Sequence, residues 1–133
     1  YETARASNEL LVEILIPAEK YGEVSVFLEL AQRHGDFAMA GIACIAHVSN
    51  KTFKKLRLIY FGSEDRPTLA TGAIAAIVGQ KWSDNCKEAA ANALAKDLDP
   101  MTNLQGSAAM KLHLQTVLTG RALDSAIKRS EVI

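Results

Sequence analysis

The hydrophobic period of this chain changes at Gly62, and that switch decides what it can fold into. Before Gly62 apolar residues recur at every second position; after it they recur at helical spacing, so strands come first and helices follow. Leu10–Ile16 alternates, with Val12, Ile14 and Ile16 on one face and Glu13 between Leu11 and Leu15 on the other. Pro17 ends that run because it has no donor for a ladder. Ala18–Gly22 reads as a turn. Val24–Ala31 follows, with Val24, Val26, Leu28 and Leu30 inward and Ser25, Phe27, Glu29 and Ala31 outward; the outward Phe27 is out of place among them. Ala38–Val48 is apolar on both faces, as a strand is when it is covered on both sides or packs against another domain. Ser49-Asn50-Lys51 leads into Phe53–Phe61, where Leu56, Leu58 and Tyr60 oppose Lys55, Arg57 and Ile59. Links this short favour an antiparallel meander over parallel crossovers.

Beyond a polar loop over 63–68, a helix is expected from about Leu69 to Val78, with Ala70, Ile74, Ile77 and Val78 as its stripe. Ser83, Asp84 and Asn85 offer caps for a second helix, Asn85 and Glu88 standing at capping-box spacing, and Ala91, Leu94, Ala95 and Leu98 form its stripe. Gly106-Ser107 opens a third helix striped by Met110, Leu114, Val117 and Leu118. Gly120 in a helix interior costs roughly 1 kcal/mol, so a kink or break is expected there before Arg121–Arg129. The expectation is one α+β domain over 1–133, strand-rich over 9–62 and helical over 69–130. Its antiparallel sheet has three to four strands, followed by and packed against about three helices.

Fifteen Lys and Arg balance fifteen Asp and Glu, which excludes nucleic-acid binding by bulk electrostatics. No apolar stretch approaches a membrane span, and Tyr1-Glu2-Thr3-Ala4-Arg5 does not resemble the start of a signal peptide. Cys44 and Cys86 make no disulfide framework, so a reducing, cytoplasmic setting is expected. Cys44 and His47, three apart in a strand, point to opposite faces and cannot share a metal. Cys86 falls in the first turn of a helix, where the dipole lowers a thiol's pKa, but no base stands near it in sequence, so little reactivity is expected. The chain has no GxSxG elbow, no Walker A sequence and no GxGxxG, and its adjacent acids Glu64-Asp65 lie on a polar loop. No residue is expected to act as acid, base or nucleophile.

Phe27–Ala40 is the segment with chemistry to offer: an outward aromatic, then a turn carrying Arg33, His34 and Asp36, then a buried strand. One reading is a plain hairpin, with Gly35 supplying turn geometry, Asp36 capping a backbone donor and Arg33 paired to a surface acid. The other is a rim, where Phe27 gives a flat apolar surface and Arg33 and Asp36 give polar contacts to a ligand or partner domain.

These residues carry a family resemblance. Glu9-Leu10-Leu11-Val12-Glu13-Ile14-Leu15-Ile16-Pro17, Phe27-Leu28-Glu29, Arg33–Gly41, Gly62 with Pro67, and Gly106–Lys111 before Val117-Leu118 and Arg121-Ala122-Leu123 follow the order of a known pattern. From about Asn8 to Ile127 the chain resembles the C-terminal domain of the FAD-binding medium subunit of molybdenum hydroxylases, the carbon monoxide dehydrogenase and xanthine dehydrogenase group. The resemblance implies an antiparallel sheet with three helices that closes over the isoalloxazine side of FAD. It implies a larger FAD-binding subunit whose N-terminal domains hold the diphosphate and adenine. Partner subunits would carry the molybdopterin and two [2Fe-2S] clusters, and electrons would pass through FAD to an external acceptor. Phe27 takes the place of a tyrosine near the flavin, and Arg33 and Asp36 are the other cofactor-side candidates. Glu29 stands where the pattern has lysine, the basic pair is reduced to Gln32 and Arg33, and Met110, Lys111 and Leu112 replace a Tyr-Arg-Arg run after Ser107. The rival expectation is an α+β interaction or dimerisation domain that uses the same apolar face without a cofactor.

Overall fold

A computed structural model describes residues 3–18 and 21–132. Strands β1 (Glu23–Leu30), β2 (Ala40–Ser49), β3 (Thr52–Phe61) and β4 (Thr68–Leu69) form an antiparallel sheet in that order. Asn50 and Lys51, at φ 50° and 57°, turn β2 into β3 with the paired positive angles of a type I′ hairpin. Pairing slips between His47 and Val48, where Lys54 is the extra residue of a bulge. That slip brings Phe53 and Leu56, three apart, to the same buried side.

Helices α1 (Thr71–Ile77), α2 (Asp84–Asp97) and α3 (Ala108–Ser130) follow. Helix α3 lies across β1 and β2, α1 lies on β3, and α1 packs against α2. The core forms between these helices and one face of the sheet: Val24, Val26, Ile42, Cys44, Leu58 and Tyr60 meet Ile77, Leu94, Leu118, Ala122 and Leu123. Ser83 caps α2 by accepting from the Cys86 N–H at 3.4 Å, and Ser107 caps α3 by accepting from the Met110 N–H at 3.2 Å. Helix α1 has no cap of its own; Ala70 stands at that position. Its cap comes from the last turn of α2, where Asp97 accepts the Gly72 and Ala73 N–H groups at 3.0 and 2.7 Å.

The α+β expectation holds, with several corrections. Leu10–Ile16 is not a strand here: among the described residues it has no ladder partner, and it lies in the open, because alternation gives a strand its faces but not its neighbour. Of the expected turn over Ala18–Gly22, Glu19 and Lys20 lie outside the described residues. Leu69 belongs to β4 rather than to the first helix. Of the three caps offered for α2, Ser83 is the one used and the Asn85–Glu88 capping box is not; in that helix Leu94 is buried as expected, with Cys86 and Ala90, while Ala95 is exposed. In α3 the buried stripe is rotated from the expected one, running through Lys111, Gln115, Leu118, Thr119, Ala122, Leu123, Ala126 and Ile127. Gly120 interrupts nothing, since burial of Leu118, Ala122 and Leu123 around it outweighs roughly 1 kcal/mol of propensity.

Candidate functional site

The helices cover one face of the sheet. On the other face, the register lines up Phe27, Ala43, Ile59 and Leu69 as one row across all four strands. The neighbouring row is Glu29, Gly41 and Phe61, and on the far side runs Ser25, Ile45 and Arg57. Phe27 is 60% exposed, and Ile45 and Leu69 are also exposed. The Phe61 ring lies diagonally across Gly41 and stacks on Phe27, with centroids 5.2 Å apart and planes 18° from parallel. A Cβ on Gly41 would stand 2.3 Å from that ring, so only glycine lets Phe61 lie flat. The result is an apolar plate with Glu29, Ser25 and Arg57 at its margins, the make-up of a surface that meets another body.

Arg33 and Asp36 lie beyond the end of β1, in the exposed connection to β2. Gly35, at φ 90°, supplies the turn geometry, and the Asp36 N–H donates to the Arg33 carbonyl at 3.2 Å. Neither the Arg33 guanidinium nor the Asp36 carboxylate has a hydrogen-bond or ion-pair partner among the described residues, so the cap and surface pair of the plain-hairpin reading do not form. Glu29, His34 and these two residues border a cleft of about 400 Å³. Phe27 is therefore on the plate, whereas Arg33 and Asp36 are beside it. Phe61 was missed by sequence reasoning, although it shares the outward parity of Arg57 and Ile59 and so belongs to the same face as Phe27.

The remaining polar groups hold the fold together. Thr119 Oγ1 donates to the Gln115 carbonyl at 2.7 Å, so its contact of 2.7 Å with Tyr60 is one in which the phenol donates. Gln115 Nε2 donates to the Phe61 carbonyl at 3.1 Å and to Ser63 Oγ at 2.8 Å, tying α3 to the end of β3 that carries the plate. One turn earlier Lys111 is fully buried, and neither its Nζ nor Gln115 Oε1 has a partner among the described residues. Trp82 Nε1 donates to Asp124 at 2.6 Å, and Lys87 reaches the same carboxylate at 3.3 Å while lying 5.4 Å from the Trp82 ring centre. This cluster joins α2 to α3 beside a cleft of about 390 Å³.

Burial pushes the Cys44 thiol up to about 12 and raises the Tyr60 phenol as well. It also raises the Cys86 thiol, in the first turn of α2, again by desolvation. Both cysteines are thus poor nucleophiles. Among the described residues no three His, Cys, Asp or Glu side chains are grouped so as to hold a metal ion, and no helix is long and apolar enough to cross a membrane.

The fold has known counterparts. Residues 25–126 match the family described as CO dehydrogenase flavoprotein C-terminal domain. This chain belongs to that family. It is 28% identical over 129 residues to the carbon monoxide dehydrogenase medium chain of Hydrogenophaga pseudoflava, covering 97% of this chain and 45% of the relative. It is also 28% identical to the 6-hydroxypseudooxynicotine dehydrogenase complex subunit alpha of Paenarthrobacter nicotinovorans, over 92% of this chain and 42% of that one. The fold superposes on a solved carbon monoxide dehydrogenase from Hydrogenophaga pseudoflava with a TM-score of 0.80 at 28% identity, covering 86% of this chain and 40% of the other. The chain thus spans less than half the length of the curated relatives it matches.

Proposed function

We propose that this chain is the C-terminal domain of the FAD-binding medium subunit of a molybdenum hydroxylase, and that its bare sheet face closes over one side of the flavin. The observation that carries this reading is the Phe27–Phe61 plate, held flat by Gly41 on the uncovered face of a family-typical fold. Such a plate fits an isoalloxazine, because a flat aromatic system stacks on aromatic rings and is kept from water by them. The chain has no glycine-rich phosphate loop, so the diphosphate and adenine fall to the remaining length of the subunit. FAD, when bound, supplies the redox chemistry, taking electrons from iron-sulfur clusters and passing them to an external acceptor.

In this reading Phe27 and Phe61 exclude solvent from one side of the ring. Arg33 and Asp36, whose polar ends are not committed to described residues, meet polar groups at its edge. No side chain of this chain takes or gives a proton. The molybdopterin and iron-sulfur centres belong to partner subunits in a cytoplasmic assembly.

The test is native mass spectrometry and an absorbance scan of the assembly as purified from its source, with a Gly41→Ala subunit alongside. Co-migrating subunits and oxidised-flavin bands, with flavin content reduced at least about threefold in the variant, are expected. A flavin-free homodimer of this chain would leave the interaction-domain reading in place and remove the redox one.

A further inference from the structure

The chain carries no net charge, yet its surface charges are sorted along the sheet. The end opened by the Asn50-Lys51 turn bears Lys51, Lys54, Lys55, Arg57 and Lys81, all of them exposed. Strand β3 and the bridge between Thr52 and Lys81 bring them to one corner, where the Trp82 N–H donates to the Lys51 carbonyl at 2.8 Å. The other end of the sheet bears Glu29, Asp36, Glu64 and Asp65 against Arg33 and Arg66.

Most acids close to the basic corner are already matched. Glu131 pairs with Lys51 at 3.5 Å, and Asp84 and Asp124 both pair with Lys87, at 3.8 and 3.3 Å. Glu23 stands across β2 from Lys55, with His47 between them. Among the described residues, the side chains of Lys54, Lys55, Arg57 and Lys81 have no ion-pair partner. Cations held together in this way repel one another, a cost that nothing in the fold offsets and that an anionic partner reverses.

We infer that this corner docks a small acidic protein. Four unmatched cations on one corner of a neutral chain are complementary to a compact acidic patch. A nucleic acid or a lipid leaflet extends far enough to meet the acidic end of the sheet as well, and gains less from the sorting. Arg57 and Lys55 lie two and four residues along β3 from Ile59, so the corner begins about 7–14 Å from the plate. A protein docked there stands beside whatever the plate covers. Its role as the external electron acceptor rests on the proposed function, whereas the docking itself rests on the charges alone.

The experiment is calorimetric titration of the intact assembly with oxidised plastocyanin, a small acidic copper protein, and with basic cytochrome c as its control. Plastocyanin affinity is expected to fall at least about tenfold between about 20 and 200 mM salt, and at least about tenfold at low salt when Lys54→Gln, Lys55→Gln and Lys81→Gln are combined. Those side chains are exposed and outside the plate, so the urea midpoint and flavin content should not move. Combined Arg66→Gln, Lys96→Gln and Arg121→Gln removes the same charge elsewhere on the surface and should leave the affinity within about twofold. No binding of plastocyanin overturns the inference, and so does an equal loss in both triple variants, since net charge alone would then decide. Cytochrome c binding as tightly as plastocyanin overturns it too, as does tighter binding of oligothymidylate or phosphatidylserine vesicles. Salt-sensitive docking on an assembly without flavin keeps the inference and removes the flavin reading, so the two fail separately.

Discussion

Asp97 caps a helix from twenty-odd residues away, and its removal has a calculable outcome. Its carboxylate accepts the Gly72 and Ala73 N–H groups at 3.0 and 2.7 Å at the start of a seven-residue helix that has no side-chain cap and no acidic residue in its first turn. Asp97→Ala leaves two donors without that partner. Hydrogen bonds to a charged group contribute roughly 1.5–3 kcal/mol each when buried, and a lost N-cap costs roughly 0.5–2 kcal/mol. Because Asp97 is only half-buried, water replaces part of both bonds, and the expected loss is about 2 kcal/mol. Asp97→Asn keeps one acceptor oxygen and should recover about half of that.

Gly72 sharpens the prediction. A Cβ there would stand 2.8 Å from Asp97 Oδ1, so Gly72→Ala pushes the carboxylate off its donors and costs about 1 kcal/mol. With Asp97 already replaced by alanine, the same change meets no oxygen and gains about 0.5–1 kcal/mol of helix propensity. Urea unfolding of the four proteins, read as midpoint and slope, gives the cycle. Equal effects of Gly72→Ala in both backgrounds, or an Asp97→Ala cost below about 0.5 kcal/mol, would refute the clamp.

Two further outcomes follow from buried groups. Cys44 titrates at 9.0 when unfolded and near 12 when folded, so the unfolded chain releases its proton first and the stability tied to the neutral thiol, full below pH 9, is lost as pH rises towards 12. Relative to Cys44→Ala, the wild type should lose on the order of 1 kcal/mol between pH 7 and pH 10; a constant gap across that range contradicts the burial argument. Lys111→Met removes a fully buried ammonium that has no described partner while keeping side-chain length, and should raise stability by about 2 kcal/mol in urea unfolding. A loss with methionine that arginine restores would show that the charge is satisfied in the fold.

How much of this was legible in the sequence depended on range. Local signals were read well: the outward Phe27, the inward even positions of β1, and the Ser107 cap all follow from spacing alone. The error at Leu10–Ile16 came from treating a face pattern as a pairing pattern, for a strand exists only with a neighbour. The rotated stripe of α3 has another cause, since Lys111, Gln115 and Thr119 are polar residues whose burial is set by β3 contacts many residues away. Phe61 over Gly41 and Asp97 on α1 depend on register and helix pairing, neither of which a single sequence reports. The rim reading of the sequence grouped Phe27, Arg33 and Asp36, but the fold puts one on the plate and two beside it.

The register of the sheet also divides its residues by parity. Val24 pairs with Ala46 and Gly41 with Phe61, so from β1 through the bulge-free part of β3 the even-numbered side chains enter the core and the odd-numbered ones face outward. A mutational scan of these strands therefore records two different histories. Changes at even positions register as loss of the folded chain, wherever it is expressed. At odd positions other than Gly41, whose Cβ would collide with the Phe61 ring, they weigh little in the chain alone and register chiefly when it has something to cover.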